Sequence, residues 1–215
     1  MTGGTVTIVD YGIGNLLSVA RAIEAAGGEA RLVEDRAGIR DADRILLPGV
    51  GAFAECAATL AKRGLTDAVK DFAETGRPFL GICVGMQLLF DYSMEFGRHE
   101  GLGLIAGHVA PIPEIDASGE RKVPHIGWSP LLRPDGGAEW QETVLEGSVP
   151  GRTSFYFVHS FNCQPDDKGA LLAQVDYQGF PVTAAIARDN ITAFQCHPEK
   201  SGSAGIEVLA RFLRQ

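Results

Sequence analysis

The sequence predicts an α/β protein: one domain over residues 1–215, built on a doubly wound mixed sheet that is mostly parallel and has an antiparallel C-terminal part. Two patterns predict it. Strand-like and helix-like segments alternate through the first third, as they do where crossover helices join parallel strands. Four strand-like segments then follow at short spacing in the last third, joined by turn residues, which favours antiparallel pairing. The length suits one such domain, because 215 residues bury a full core without disulfide or metal staples.

Each element rests on its own signal. Residues 5–9 are a β-rich apolar run, followed by a turn at Gly12-Ile13-Gly14. Leu16, Val19, Ala20, Ile23 and Ala26 fall on one helical face, and Gly27-Gly28 stops that helix. Residues 30–33 and 44–47 read as the second and third strands. Phe53, Cys56, Ala57 and Leu60 form the next helical stripe, ended by Gly64; Leu65, Val69 and Phe72 form another, closed by Gly76 and Pro78. Residues 79–82 are a continuous apolar strand of the kind buried on both faces. A helix begins near Val84, with Leu88 and Leu89 on its apolar side. Residues 111–151, rich in Pro, Gly and acids, read as loop or short strand. The late strands are 154–159, 170–175, 181–186 and 191–196, with turns at Gln178-Gly179 and Asp189-Asn190 and a final helix over about 203–213.

Composition narrows the function classes. Nineteen basic against 27 acidic residues leave a net charge of −8, which disfavours a phosphate-neutralising surface and with it nucleic-acid binding. The most hydrophobic stretch, residues 79–90, is too short for a membrane span and contains Gln87. Residues 1–10 carry no basic leader and no long apolar run, so a cytoplasmic location is expected. Cys56, Cys83, Cys163 and Cys196 lie far apart without a C-x-x-C pair, so no zinc or dithiol motif is supported and reduced thiols are expected.

The segment that carries chemistry is Gly81-Ile82-Cys83-Val84-Gly85-Met86-Gln87. A nucleophile on a sharp strand-to-helix turn needs small residues two positions to either side, and Gly81 and Gly85 supply them, giving G-x-C-x-G. A helix N-terminus there favours thiolate over thiol, and the Val84 N–H points where an oxyanion would form. The plain alternative is a core cysteine in a glycine turn. Of five histidines, His99 reads as solvated, and His108 and His125 as structural; His197 follows a late strand and opens His197-Pro198-Glu199. Residues two apart in an extended segment share a side, so Glu199 can orient the imidazole while His197 takes the thiol proton. Alternatively Glu199 is a first-turn acid of the last helix, with Ser201 or Ser203 as N-cap. His159 and Tyr156 fit packed strand positions, and Trp128 a half-buried aromatic. Gly12-Ile13-Gly14 does not make a dinucleotide loop, because Leu17 stands at the third glycine position.

Taken together, the elbow and the late H-P-E resemble the class I, triad-type glutamine amidotransferases. Asp10-Tyr11-Gly12-Ile13-Gly14-Asn15, Pro124-His125-Ile126-Gly127-Trp128 and Tyr156-Phe157-Val158-His159-Ser160 point to the histidine-biosynthetic branch, the glutaminase subunits of imidazole glycerol phosphate synthases. The resemblance runs along nearly the whole chain. It implies Cys83 as nucleophile, His197 as base and Glu199 as its orienting partner. It also implies an oxyanion strand at Pro48-Gly49-Val50-Gly51, with Val50, Gly51 and Val84 as oxyanion donors. Glutamine contacts are implied at Gly51, Gln87, Ser160, Phe161 and, at the substrate ammonium, Glu95. Lys200 falls at the subunit interface. L-Glutamine is then the substrate, no metal or organic cofactor is called for, and the partner is a (β/α)8-barrel cyclase subunit that receives the ammonia. Two positions depart from the family pattern: Ser129 stands where Asn often follows P-H-I-G-W, and Cys196 where Phe often precedes H-P-E. The rivals are another amidotransferase subunit, a stand-alone cysteine hydrolase and a non-catalytic scaffold subunit.

Overall fold

The computed structural model describes residues 3–116, 119–137 and 139–215. In chain order the elements are β1 (Thr5–Val9), α1 (Leu16–Ala25), β2 (Glu29–Val33), α2 (Arg36–Arg40), β3 (Ile45–Leu47), α3 (Phe53–Lys62), α4 (Thr66–Glu74), β4 (Phe79–Ile82), α5 (Val84–Gln87), β5 (Phe90–Ser93), β6 (His99–Glu100) and β7 (Ile105–Pro111). Then come β8 (Ile115–Asp116), β9 (Gly119–Glu120), β10 (His125–Pro130), β11 (Ser154–His159), β12 (Phe161–Pro165), β13 (Leu171–Tyr177), β14 (Phe180–Arg188), β15 (Ile191–Phe194) and α6 (Gly202–Phe212).

The main sheet has seven strands in the order β13-β14-β15-β4-β3-β1-β2. From β2 to β15 all neighbours are parallel, and the β15–β14 and β14–β13 pairs are antiparallel. This is the mostly parallel mixed sheet that the sequence predicts. Strands β3, β4 and β15 are buried at every residue, which is why they read as unbroken apolar runs rather than alternating ones. A second sheet, β12-β7-β5-β6, and a β10–β11 ribbon lie beside it. The carboxyl ends of β1, β3, β4 and β15 open on one edge of the main sheet, where α/β folds place their ligands.

Four local expectations need correction. Helix α2 has one buried apolar residue, Ile39, and so carries no stripe to detect; its signal is Asp35, whose side chain accepts from the Gly38 N–H at 2.8 Å. The helix after Cys83 is a single turn that ends at Gln87. Leu88 and Leu89 instead lead into β5, where their carbonyls accept from the Leu102 and Leu104 N–H groups at 2.7 and 2.8 Å. The segment 111–151 contains a regular six-residue strand, β10, paired with β11 from His125↔His159 to Pro130↔Ser154. Strands β7 and β12 pair antiparallel and have no counterpart in the expected element list. Among the described residues no helix is long and apolar enough to cross a membrane.

One glycine shows why this edge is so tightly specified, and a second, away from it, serves as its control. A Cβ on Gly85 would lie 2.0 Å from the Leu47 carbonyl oxygen, so the end of β3 packs directly against the first turn of α5. Gly76 has φ +77° and nothing within 4 Å of its would-be Cβ, so a side chain there meets only backbone strain. Gly85→Ala is therefore expected to lower stability by about 3 kcal/mol and Gly76→Ala by about 1 kcal/mol, read from urea unfolding midpoints. Equal losses would show that the approach of β3 does not restrict Gly85.

Candidate active site

Cys83 joins β4 to α5 with φ 56° and ψ −115°, a conformation that L-residues rarely adopt and that costs about 1–3 kcal/mol. The surroundings hold it there. Its N–H donates to the Phe194 carbonyl on β15 at 2.7 Å, and its carbonyl accepts from the Met86 and Gln87 N–H groups at 3.0 and 3.2 Å. Gly81 faces Ala193 with room for no side chain, since a Cβ would sit 3.0 Å from that methyl group. Cys83 is only 5% exposed and lies at the floor of a cleft. Helix α5 is a single turn and so aligns few peptide dipoles at the cysteine.

His197 follows β15 and is 3% exposed. Its N–H donates to the Tyr156 carbonyl at 2.9 Å. Nδ1 lies 2.7 Å from Glu199 Oε1; a carboxylate only accepts, so Nδ1 carries the proton and Nε2 is left for the cysteine. Glu199 is not a solvated first-turn acid, because its side chain is 2% exposed. Its second oxygen, Oε2, is buried without a hydrogen-bond partner. Ser201 stands at the N-cap position of α6, but its side chain is used elsewhere: Ser201 Oγ–H donates to the His197 carbonyl at 2.6 Å and its oxygen accepts from the Tyr156 N–H at 3.0 Å. Burial works against a charged His197, but hydrogen bonds to Cys83 and Glu199, together with their negative charge, outweigh it and raise the imidazole pKa to about 10. The arrangement favours a charged imidazolium held between Cys83 and Glu199.

The cleft has a volume of ≈450 Å³ and is lined by Cys83, His197, Val50, Gly51, Val84, Gln87, Glu95, Ser160, Phe161 and Lys200. The nucleophile, base, oxyanion donors, glutamine contacts and interface lysine that the resemblance implies thus face this one space, and Glu199 stands behind His197. Three of them are engaged in ways the sequence does not suggest. The Val84 N–H donates to the Gly49 carbonyl at 3.3 Å instead of being free for an oxyanion. The Gln87 carboxamide donates to Gln195 Oε1 at 3.0 Å. Glu95 Oε2 accepts from the Phe53 N–H at 2.6 Å, so this carboxylate caps α3, whose own N-cap residue is Ala52. Lys200 is exposed at the rim.

Other residues enter, one that sequence reasoning passes over and others that it reads as packing. Gln195 is fully buried, and its Nε2 lies 3.8 Å from Cys83 Sγ. His159 lines the cleft and joins a chain of hydrogen bonds whose direction is fixed from one end. The Phe161 carbonyl can only accept, so His159 Nδ1–H donates to it at 2.8 Å. His125 Nδ1–H then donates to His159 Nε2 at 3.0 Å, and Ser129 Oγ–H to His125 Nε2 at 2.9 Å. Ser129, where Asn is usual, still fills a donor position. His125 is stacked between Phe157 and Tyr177 at centroid distances of 4.9 and 4.0 Å. The chain sets the backbone at 159–161 that faces the cleft.

Comparison with known proteins gives the family. Residues 7–215 match the family model described as glutamine amidotransferase class-I. The chain belongs to the class I glutamine amidotransferase family. It is 44% identical over 211 residues to the protein named imidazole glycerol phosphate synthase subunit HisH 1 of Legionella pneumophila (strain Lens), covering 98% of this chain and 99% of that one. It is 47% identical over 220 residues to imidazole glycerol phosphate synthase subunit HisH of Rhodospirillum rubrum, covering 97% and 98%. Among solved structures, PurLQS from Thermotoga maritima superposes with a TM-score of 0.73 at 21% identity over 99% of this chain and 98% of that one, a likeness of fold. The glutaminase domain of Trypanosoma brucei CTPS, with bound acivicin, superposes at 0.63 and 15% identity over 98% and 94%.

The histidine chain has a consequence for stability. Burial lowers the pKa of His125 to about 4 and that of His159 to about 3. Both native values lie below the unfolded value of about 6.5, so between pH 6.5 and 4 the unfolded chain binds protons that the native chain does not. Stability is therefore lost as pH falls through that window, with about two protons taken up on unfolding at pH 5. His197 acts in the opposite sense: its raised pKa makes its contribution present below pH 6.5 and lost as pH rises toward 10. Urea midpoints from pH 8 to 5 check the first effect; a midpoint that stays flat between pH 7 and 5 contradicts it.

Proposed function

We propose that this chain, as one glutaminase domain over residues 1–215, is the glutaminase subunit of an imidazole glycerol phosphate synthase. It hydrolyses the side-chain amide of glutamine and passes ammonia to a cyclase subunit that makes imidazole glycerol phosphate and AICAR in histidine biosynthesis, in the cytoplasm. The observation that carries the reading is the meeting, in one cleft, of a strained cysteine on a strand-to-helix elbow with a buried imidazole already oriented by a carboxylate.

Cys83 thiolate attacks the carboxamide carbon of glutamine, and His197 Nε2–H protonates the departing ammonia. The resulting thioester is hydrolysed by a water that His197 deprotonates, releasing glutamate. Glu199 keeps Nδ1 protonated throughout and stabilises the imidazolium. Ser160, Phe161, Gln87 and Gly51 border the space for the substrate, and Glu95 lines it as the carboxylate for the substrate ammonium.

The tetrahedral oxyanion needs the Val84 N–H and a second donor from Val50 or Gly51. In this structure the Gly49 carbonyl occupies the Val84 N–H, so the hole is closed by the protein's own backbone. Rotation of the single peptide Gly49–Val50 removes that oxygen and turns the Val50 N–H toward the same point. Val50 is 38% exposed at the cleft, where a docked subunit can reach it. The outer face of the β10–β11 ribbon presents the cross-strand pairs Ile126/Val158 and Trp128/Tyr156, with Ile126 58% and Trp128 57% exposed. With Lys200 at the rim, this apolar face supports docking of the cyclase over the cleft. Capture of ammonia by a docked partner also avoids its loss as ammonium, which is not nucleophilic.

Glutamate release is expected to be slow for the purified chain alone. With the cognate cyclase carrying its ribulosyl ligand it is expected to rise about 100-fold, the rate equivalent of one oxyanion donor. Cys83→Ala is expected to abolish glutamine use by the complex while leaving ammonia-driven synthesis intact. Full turnover by the isolated chain, indifferent to partner and ligand, would instead mark an independent hydrolase.

A further inference from the structure

The oxyanion strand, residues 48–51, runs from the end of β3 to the start of α3, and three of its successive carbonyls have separate donors. The Pro48 carbonyl accepts from Tyr11 Oη–H at 2.8 Å. The Gly49 carbonyl accepts from the Val84 N–H at 3.3 Å. The Val50 carbonyl accepts from Cys56 Sγ–H at 3.4 Å. Tyr11 and Cys56 are both fully buried, lie outside the reacting centre, and have no part in the chemistry described above. Burial raises the pKa of both groups, so both keep the proton they donate at neutral pH.

We propose that Tyr11 and Cys56 are positioning residues that confine the opening of the oxyanion hole to the one peptide between them, an inference that rests on the glutaminase reading. The Pro48 carbonyl belongs to the peptide 48–49, and the Val50 carbonyl to the peptide 50–51. Each is held by a side chain from another element: Tyr11 from the loop after β1, Cys56 from α3. The peptide 49–50 alone is held by a group of the site itself. Rotation about Gly49 ψ and Val50 φ therefore frees the Val84 N–H and swings the Val50 N–H inward while both neighbours stay in place. Tyr11 also limits the path, because its oxygen lies 3.0 Å from where a Cβ on Gly49 would be. Without the two pins the strand relaxes as a whole, and the Val50 N–H loses its aim at the oxyanion.

Such an effect belongs to the transition state and not to glutamine binding, which separates it from a general structural role. In the complex with ligand-bound cyclase, Tyr11→Phe and Cys56→Ala are each expected to lower glutaminase kcat about tenfold, the rate equivalent of one neutral hydrogen bond. KM for glutamine stays within about twofold. Cys56→Ser retains a donor and is expected to restore kcat to within about twofold of wild type. Alkylation of Cys83 by iodoacetamide needs no oxyanion hole, so its rate is expected to be the same in all variants; thermal unfolding confirms that each is folded. Variants with unchanged kcat, losses shared by KM and alkylation, or a Cys56→Ser enzyme as slow as Cys56→Ala each overturn the inference. Wild-type protein that releases no glutamate in the complex overturns the glutaminase reading itself.

Discussion

The active edge of this protein depends on a backbone constraint, the positive φ of Cys83. A residue in that conformation returns to a relaxed one unless its neighbours forbid it, and here three contacts with the two flanking strands do so. The hydrogen bond from Cys83 N–H to Phe194 ties the elbow to β15, the close approach of Gly85 to Leu47 ties it to β3, and Gly81 against Ala193 removes any slack between β4 and β15. Each restraint is backbone or the first carbon of a side chain, and each comes from a fully buried strand. The core therefore supplies the rigidity, and the edge stores the strain that keeps the sulfur pointing into the cleft.

Electrostatics then divides the buried polar groups into two sets with opposite demands. Around Cys83, Glu199 leaves one carboxylate oxygen unpaired beside His197, so its charge is spent on the imidazolium. A few ångströms of backbone away, Ser129, His125 and His159 form a chain terminated by a carbonyl, and both rings are kept neutral. A proton on His159 would disfavour one on His197, because the two positive charges repel. Neutrality of the first pair thus favours charge on the second. The same residue type serves both, and only the partners differ.

Much of this was legible in the sequence because it is written at short range. G-x-C-x-G reports a steric need within five residues, H-P-E reports an extended tripeptide, and continuous apolar runs report strands buried on both faces. Helix α2 escaped because five residues with one buried side chain carry no period. Leu88 and Leu89 read as a continuing helix because burial on all sides gives the same apolar run in either structure. Strand β10 was masked by Pro124, Gly127 and Pro130, which are turn residues in most settings. The partners of residues 48–51 were beyond reach for a different reason. Tyr11 and Pro48 are 37 positions apart, and a hydrogen bond over that distance leaves no local pattern. The hydrogen bond from the Val84 N–H to the Gly49 carbonyl was equally hidden, since nothing in P-G-V-G says which way a carbonyl points.

The β10–β11 ribbon shows how one period of two residues serves both the inside and the outside of the site. Along β11, Phe155, Phe157 and His159 are buried, while Tyr156 and Val158 turn outward. His159 lines the cleft; Tyr156 pairs with Trp128 on the opposite face at a centroid distance of 6.1 Å. The backbone of that same Tyr156 holds His197, because its carbonyl accepts from the His197 N–H and its N–H donates to Ser201, which in turn donates to the His197 carbonyl. A molecule seated on Trp128 and Tyr156 therefore bears on the strand that fixes His197.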